Sequence, residues 1–237
     1  KTLSDTETIL ESVEAFGLKI TLTYLIGMFA FAIYDKKNKN LFLVRDRIGE
    51  KPLYYMNENK TILFGSEIKC FQKLDSVKLK FDQDAINEFI CYGFINKNQS
   101  IYKNIFRIEP GTYLTVSLNK FECKKTKYWD AVENVNKNNN DNTKNIESLF
   151  NSVIRQHLIS DVPIGTFLSS GIDSSLITSL VAKNYKKKLE TFTISFDDKN
   201  LNESLEAKKI ANHLKTNHNE IYFNSYAIKN EIPNMHN

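Results

Sequence analysis

Hydroxyls, a glycine and a carboxylate crowd together at Ser169-Ser170-Gly171-Ile172-Asp173-Ser174-Ser175, directly after the apolar pair Phe167-Leu168. A run of this kind suits an anion. Upstream, Val162, Ile164, Phe167 and Leu168 supply the apolar content of a short buried strand, and downstream Leu176, Ile177, Leu180 and Val181 recur with a helical period. The loop therefore falls at a helix N-terminus, where backbone N–H groups lack intrahelical partners and the helix dipole adds partial positive charge. A phosphate-type group is the natural occupant. Ser169, Ser174 and Ser175 add hydroxyl donors, and Gly171 allows close backbone approach. The alternative is that Asp173 or Ser174 merely caps the helix and nothing binds. A Walker A loop is excluded, because the Gly-Lys-Ser/Thr ending whose lysine reaches the terminal phosphates is missing.

The elements that must hold this loop alternate in type. A helix over 146–158 leads to the strand and loop, a helix over 174–185 follows, and strands near 191–196 and 220–223 flank a helix over 203–214. That alternation predicts a parallel, doubly wound sheet, whose ligands sit at the carboxyl ends of the strands. The loop falls at such an end.

The first half reads differently. Ser4 caps a helix whose residues Ile9, Leu10, Val13 and Phe16 share one face, and Gly17 ends it. The run 25–34 is expected to be a strand covered on both faces, and residues 41–44 return as its hairpin partner. Further strands are expected at 51–55 and 61–64, with a helix over 82–92 that is capped by Asp82 and turns Ile86, Phe89 and Ile90 inward. Pro110-Gly111 signals a turn before an outer strand over 112–118. Residues 133–145 are too polar and Asn-rich to bury anything, which makes them a linker between domains at 1–132 and 146–237.

Composition bounds the function. The net charge of +4 with dispersed lysines argues for no nucleic-acid partner, and the most apolar segment, 22–34, falls short of the roughly 20 residues that span a bilayer. No membrane role is expected. Cys70, Cys91 and Cys123 lie far apart without metal-ligand spacing, which suits a reduced, cytoplasmic protein. His218 stands alone, with no triad pattern around it.

Ser-Ser-Gly-Ile-Asp-Ser resembles the Ser-Gly-Gly-x-Asp-Ser pyrophosphate loop of the N-type ATP pyrophosphatases, with Ser170 where the family has glycine. Longer motifs extend the likeness. Ser4-Asp5-Thr6-Glu7, the stretch from Gly27 to Asp35, the stretch from Arg45 to Tyr55 and the stretch from Gly65 to Lys69 resemble the class II glutamine amidotransferase domain of glutamine-hydrolysing asparagine synthetases. In the same register follow Tyr128-Trp129, the stretch from Ser160 to Gly165, the loop, Asn202-Glu203-Ser204 and the stretch from Thr216 to Glu220.

The resemblance implies an N-terminal-nucleophile type glutaminase domain of antiparallel sheets and helices, followed by a doubly wound parallel-sheet ATP pyrophosphatase domain, both partial. It implies that glutamine gives ammonia, and that ammonia travels through an internal passage to aspartate activated as an acyl-adenylate by ATP with Mg2+. Asp5 matches the aspartate that holds the glutamine α-amino group; its alternative is a helix cap. Leu168, Ser169, Ser170, Gly171, Ile172, Asp173, Ser174, Ser175 and Ile194 match nucleotide-binding positions; for Leu168 and Ile194 the alternative is the core. Arg45, Asp46 and Lys51 read as loop-holding residues. Glutamine, ATP and aspartate are the implied partners, and a homodimer is left open.

Two other functions stay open: amidation of another carboxylate, such as a sugar acid of surface polysaccharides, and a non-catalytic binding module. If Ser170 stands where a left-handed backbone is needed, its Cβ strains the loop. The chain reads as a piece of a longer protein that contains neither the N-terminal cysteine nucleophile nor the later acidic Gly-rich motif, and no catalytic residue or metal ligand is assigned within it. Thiolate catalysis requires the nucleophile beside its base. The purified 237-residue chain is therefore expected to release no glutamate from glutamine above a buffer control in an enzyme-coupled assay.

Overall fold

The computed structural model describes residues 4–95, 98–133, 143–198, 202–224 and 229–230. Its packing divides into two units, Lys1–Lys137 and Asn138–Asn237. In the first, Ser4 Oγ accepts from the Thr6 N–H at 3.2 Å and starts helix α1 (Asp5–Phe16). Gly17, at φ +78°, ends α1 and begins a second short helix, α2 (Leu18–Tyr24). No residue of α1 is fully buried; Ile9 and Val13 are half-buried where the helix packs on α2, and Leu10 and Phe16 are exposed.

The run 25–34 does not form one strand. Gly27, at φ +122°, breaks it, and only β1 (Ala30–Asp35) is extended, as an edge strand with Tyr34 half exposed. The expected hairpin is present: Asp35 Oδ1 accepts from the N–H groups of Lys37 and Asn38, and β2 (Asn40–Arg45) pairs back from Asp35↔Asn40 to Ala30↔Arg45. A second hairpin joins β3 (Tyr54–Glu58) to β4 (Thr61–Gly65). Its two turn residues, Asn59 and Lys60, have φ of +51° and +59°, which matches the right-handed strand twist.

Two short helices follow, α3 (Lys69–Gln72) and α4 (Gln83–Tyr92). Asp82 Oδ1 caps α4 as expected, accepting from Asp84 and Ala85 N–H. The inward face of α4 differs from the expected one, however. Ala85 is the buried residue, whereas Phe89 and Ile90 point outward at 53% and 74% exposure.

The remaining strands of this unit are β5 (Phe106–Arg107), β6 (Thr112–Ser117) and β7 (Glu122–Lys127). They complete one antiparallel sheet in the order β1-β2-β6-β7 and another in the order β4-β3-β5. The strand expected outermost, β6, is central instead. The reason is β7, whose Glu-Cys-Lys-Lys-Thr-Lys sequence has no apolar alternation, yet pairs with β6 from Ser117↔Glu122 to Thr112↔Lys127. Leu41, Leu43, Leu114 and Val116 from the first sheet pack on Leu53, Tyr55 and Ile108 as one core; Met56, Phe71 and Ile105 form another.

In the second unit, α5 (Thr143–His157) leads to β8 (Gly165–Phe167), α6 (Ile172–Asn184), β9 (Glu190–Phe196), α7 (Ser204–Leu214) and β10 (Asn217–Phe223). The strands are parallel in the order β10-β9-β8, one direction of winding in a doubly wound sheet. Residues 134–142, most of the expected linker, lie outside the described residues. No described helix is long and apolar enough to cross a membrane.

The stretch after β2 is held by two buried charged groups. Asp46, with no exposed surface, accepts from the N–H groups of Glu50 and Lys51 at 2.9 Å and of Phe29 at 3.3 Å. Arg45 donates to the carbonyls of Lys51, Ile108 and Gly49. Burial, then the charge of Arg107, lowers the Arg45 pKa, and the Asp46 carboxylate opposes both. The Tyr128 hydroxyl donates to the Arg45 carbonyl at 2.8 Å, and burial pushes its pKa well up. Arg45 and Asp46 thus hold loops, as expected, whereas Lys51 contributes its backbone and leaves its side chain exposed. Asp46→Asn turns an amide NH2 toward backbone donors, and it is expected to destabilise this unit by about 2–4 kcal/mol. Urea unfolding followed by the fluorescence of the single tryptophan, Trp129, measures this; Lys36→Ala on the exposed turn should stay within about 0.5 kcal/mol.

Candidate nucleotide-binding site

Strand β8 ends where its last backbone bond, from Leu168 N–H to the Phe192 carbonyl at 2.9 Å, joins it to β9. Buried Thr193 fixes the exit by donating its hydroxyl to the Leu168 carbonyl. The Leu168 side chain is only 2% exposed and packs on Ala207 and Ala211 of α7. The chain then turns through Ser169, Ser170 and Gly171 into α6. Thr178, one face further along α6, donates to Thr166 Oγ1 at 3.2 Å and ties the helix back to β8.

The turn is closed by its own hydroxyls. Ser174 Oγ lies 2.8 Å from Ser169 Oγ and accepts from the Ser169 N–H at 3.2 Å. The Gly171 N–H donates to Ser169 Oγ, and Ser175 Oγ donates to the Gly171 carbonyl at 2.7 Å. The Ser170 N–H donates to Glu203 Oε2 at 3.0 Å. Beyond the turn, the amides of Ile172, Asp173 and Ser174 belong to the first turn of α6 and have no intrahelical carbonyl to bond. These three amides, with the dipole of a 13-residue helix behind them, form the kind of N-terminal donor set that suits an anion.

A cleft of about 480 Å³ opens at this turn. Apolar Phe167, Ile194 and Phe196 line it together with polar Ser169, Ser174 and Glu203. A volume of that order suits a nucleotide-sized ligand. Leu168, at the end of β8, and Ile194, on the next strand, both line it: Leu168 from beneath the loop, and Ile194 from β9 at 44% exposure. Phe167 and Ile172 stand out at 82% and 86% exposure.

Two expectations from the sequence do not hold at this turn, the cap and the Ser170 strain, whereas the close approach at Gly171 does. Neither Asp173 nor Ser174 caps α6; the N-cap is Gly171, which makes no side-chain cap bond, and the helix starts at Ile172. Gly171 itself has φ −68°, so it serves through space: a Cβ there would meet Ser169 Oγ at 3.3 Å. Ser170 lies outside the positive-φ region, so its side chain brings no left-handed strain. Ser170 is exposed.

Asp5 belongs to the first unit, at the exposed first turn of α1, where its carboxylate lies 3.5 Å from the hydroxyls of Ser4 and Thr6. The helix cap there is Ser4, which leaves the Asp5 carboxylate out of the capping bond. His218 faces Thr191 Oγ1 at 3.0 Å through Nδ1, a contact inside the sheet, and its charge acts on the Glu220 carboxylate two residues on.

Sequence reasoning missed Glu203. It had been matched as part of Asn202-Glu203-Ser204 but given no role. The signal was positional: the first turn after a parallel strand lies at the same carboxyl edge as the loop of the neighbouring strand.

Residues 1–129 match the family model described as a glutamine amidotransferase domain, and residues 145–237 match the one described as asparagine synthase. A protein of Methanocaldococcus jannaschii named putative asparagine synthetase, glutamine-hydrolyzing, 2 is 35% identical over 229 residues, 94% of this chain and 44% of that protein. Asparagine synthetase, glutamine-hydrolyzing, 3 of Bacillus subtilis is 35% identical over 82% of this chain and 32% of its own length. The corresponding synthetase of Cricetulus griseus is 30% identical over 93% and 39%. The chain thus spans less than half the length of these relatives. Two consecutive family matches, in the order of the two units, place it: the chain belongs to the glutamine-hydrolysing asparagine synthetase family.

Proposed function

We propose that the protein containing this chain amidates aspartate to asparagine, using ammonia from glutamine and cleaving ATP to AMP and pyrophosphate. The observation that carries the reading is the turn at Ser169–Ser175, set at the carboxyl edge of a parallel sheet beside a nucleotide-sized cleft, within the stretch that matches asparagine synthase. In this reading the purine and ribose lie against the apolar wall that includes Ile194, and the polyphosphate meets the amides of Ile172 to Ser174. Aspartate's β-carboxylate attacks the α-phosphorus, the bond to the bridging oxygen breaks, and pyrophosphate leaves with its charge. Preorganised amides stabilise that charge without reorganising. Ammonia then attacks the activated carbonyl, and AMP departs.

Magnesium fits the donors present in a restricted way. Among the described residues no group of three or more His, Cys, Asp or Glu side chains converges, while Asp173 presents one carboxylate on the first turn of α6. One carboxylate plus substrate phosphates is a usual set for this ion. Bound there, it would offset phosphate charge. In the first unit, Asp5 offers an exposed carboxylate to the glutamine α-amino group.

The test uses the full reading frame that contains these residues. ATP–pyrophosphate exchange should depend on aspartate, and Ser174→Ala, which unties the turn, should lower it by roughly 10- to 100-fold while glutaminase activity stays within about twofold. Exchange that responds to a different carboxylate and ignores aspartate would move the acceptor assignment. Ser170→Gly relieves no backbone strain, so its pyrophosphate affinity, read by titration, should lie within about twofold of the parent.

A further inference from the structure

The carboxylate of Glu203 bonds an amide of the very turn that is read as a phosphate cradle. Its own helix does not need it. The start of α7 is served by Asn202, whose Oδ1 accepts from the Ser204 N–H at 3.0 Å, and Glu203 makes no side-chain cap bond. Only its backbone carbonyl acts in the helix, accepting from Ala207 N–H. The side chain instead lines the cleft together with Ser169 and Ser174, and it places a full negative charge where a polyphosphate would bring more. An anionic oxygen on a backbone N–H is the same interaction that a phosphate oxygen makes.

We infer that Glu203 is an internal anion that keeps the turn shaped when it is empty and competes with pyrophosphate for the Ser170 amide. Resting on the nucleotide reading above, this makes Glu203 a positioning residue that weakens product binding. Pyrophosphate must displace the carboxylate to gain that amide, and the returning carboxylate speeds its departure. A residue that merely held the fold would lower affinity when changed, whereas a competitor raises it.

The experiment is calorimetric titration of the full 237-residue chain with inorganic pyrophosphate, with and without magnesium. Three proteins are compared: the parent, Glu203→Gln, and Glu206→Gln as a control on the same helix. Glutamine keeps the shape and an acceptor for the Ser170 N–H but loses the charge. Glu203→Gln should bind about tenfold more tightly in both conditions, and Glu206→Gln, whose side chain pairs with Lys209, should match the parent. Equal affinity in Glu203→Gln and the parent overturns the competition and leaves the phosphate-cradle reading standing. Weaker magnesium–pyrophosphate binding in Glu203→Gln overturns it too, by making Glu203 a metal ligand. No pyrophosphate binding by any of the three removes the cradle reading and the competitor with it.

Discussion

Asp46 is a carboxylate that water does not reach, and the long connection after β2 folds around it. Burying a charge is unfavourable unless each oxygen finds donors, and here the donors are backbone N–H groups of Phe29, Glu50 and Lys51. Its own carbonyl accepts from Gly111, which brings the β5–β6 connection to the same point. Beside it, Arg45 does the converse, satisfying the carbonyls of Gly49 and Lys51 nearby and of Ile108, 63 residues away from it in sequence. The two side chains work as a matched pair of plugs: one collects orphan amides, the other orphan carbonyls. A loop of this length buried without such partners would leave several polar groups unpaired.

The second unit solves a related problem at smaller scale. Its turn between β8 and α6 has little apolar material to hold it, so hydroxyls take the place of packing: Ser169 and Ser174 bond to each other, and Ser174 and Ser175 bond to the turn's own backbone. The anchor lies below, where Leu168 inserts between the turn and α7 and Thr193 grips its carbonyl. The outcome is a hydrogen-bonded rim above a buried floor. A site built this way requires few charged residues of its own, which is consistent with the scarcity of acidic clusters among the described residues.

Much of this was legible in the sequence where local chemistry decides. Ser4, Asp82 and Gly17 announced helix ends because a cap is a contact within four residues, and the alternation of strands and helices after residue 146 announced the parallel sheet. What escaped was set by neighbours distant in sequence. β7 is a strand because β6 offers it a ladder, not because its lysines favour one. The 25–34 run looked like one buried strand because hydropathy does not register the backbone break at Gly27. Phe89 and Ile90 looked inward because an apolar helical face is usually covered, and here nothing described covers it. At the site, the turn was found from its residue types, while Glu203 needed the sheet to bring a second helix start to the same edge.

The first sheet has two unlike margins. Along β7, which has no second partner strand among the described residues, stand Lys124, Lys125 and Lys127, the last two paired with Glu109 and Asp130, and such a charged margin disfavours a further strand. The opposite margin is Ala-Phe-Ala-Ile-Tyr, with its one charge, Asp35, at the far end. Growth of the sheet is thus one-sided. Any chain that extends it, whether native or a misfolded neighbour in concentrated solution, finds its template at β1, and the lysine margin keeps the stack from propagating through both sides.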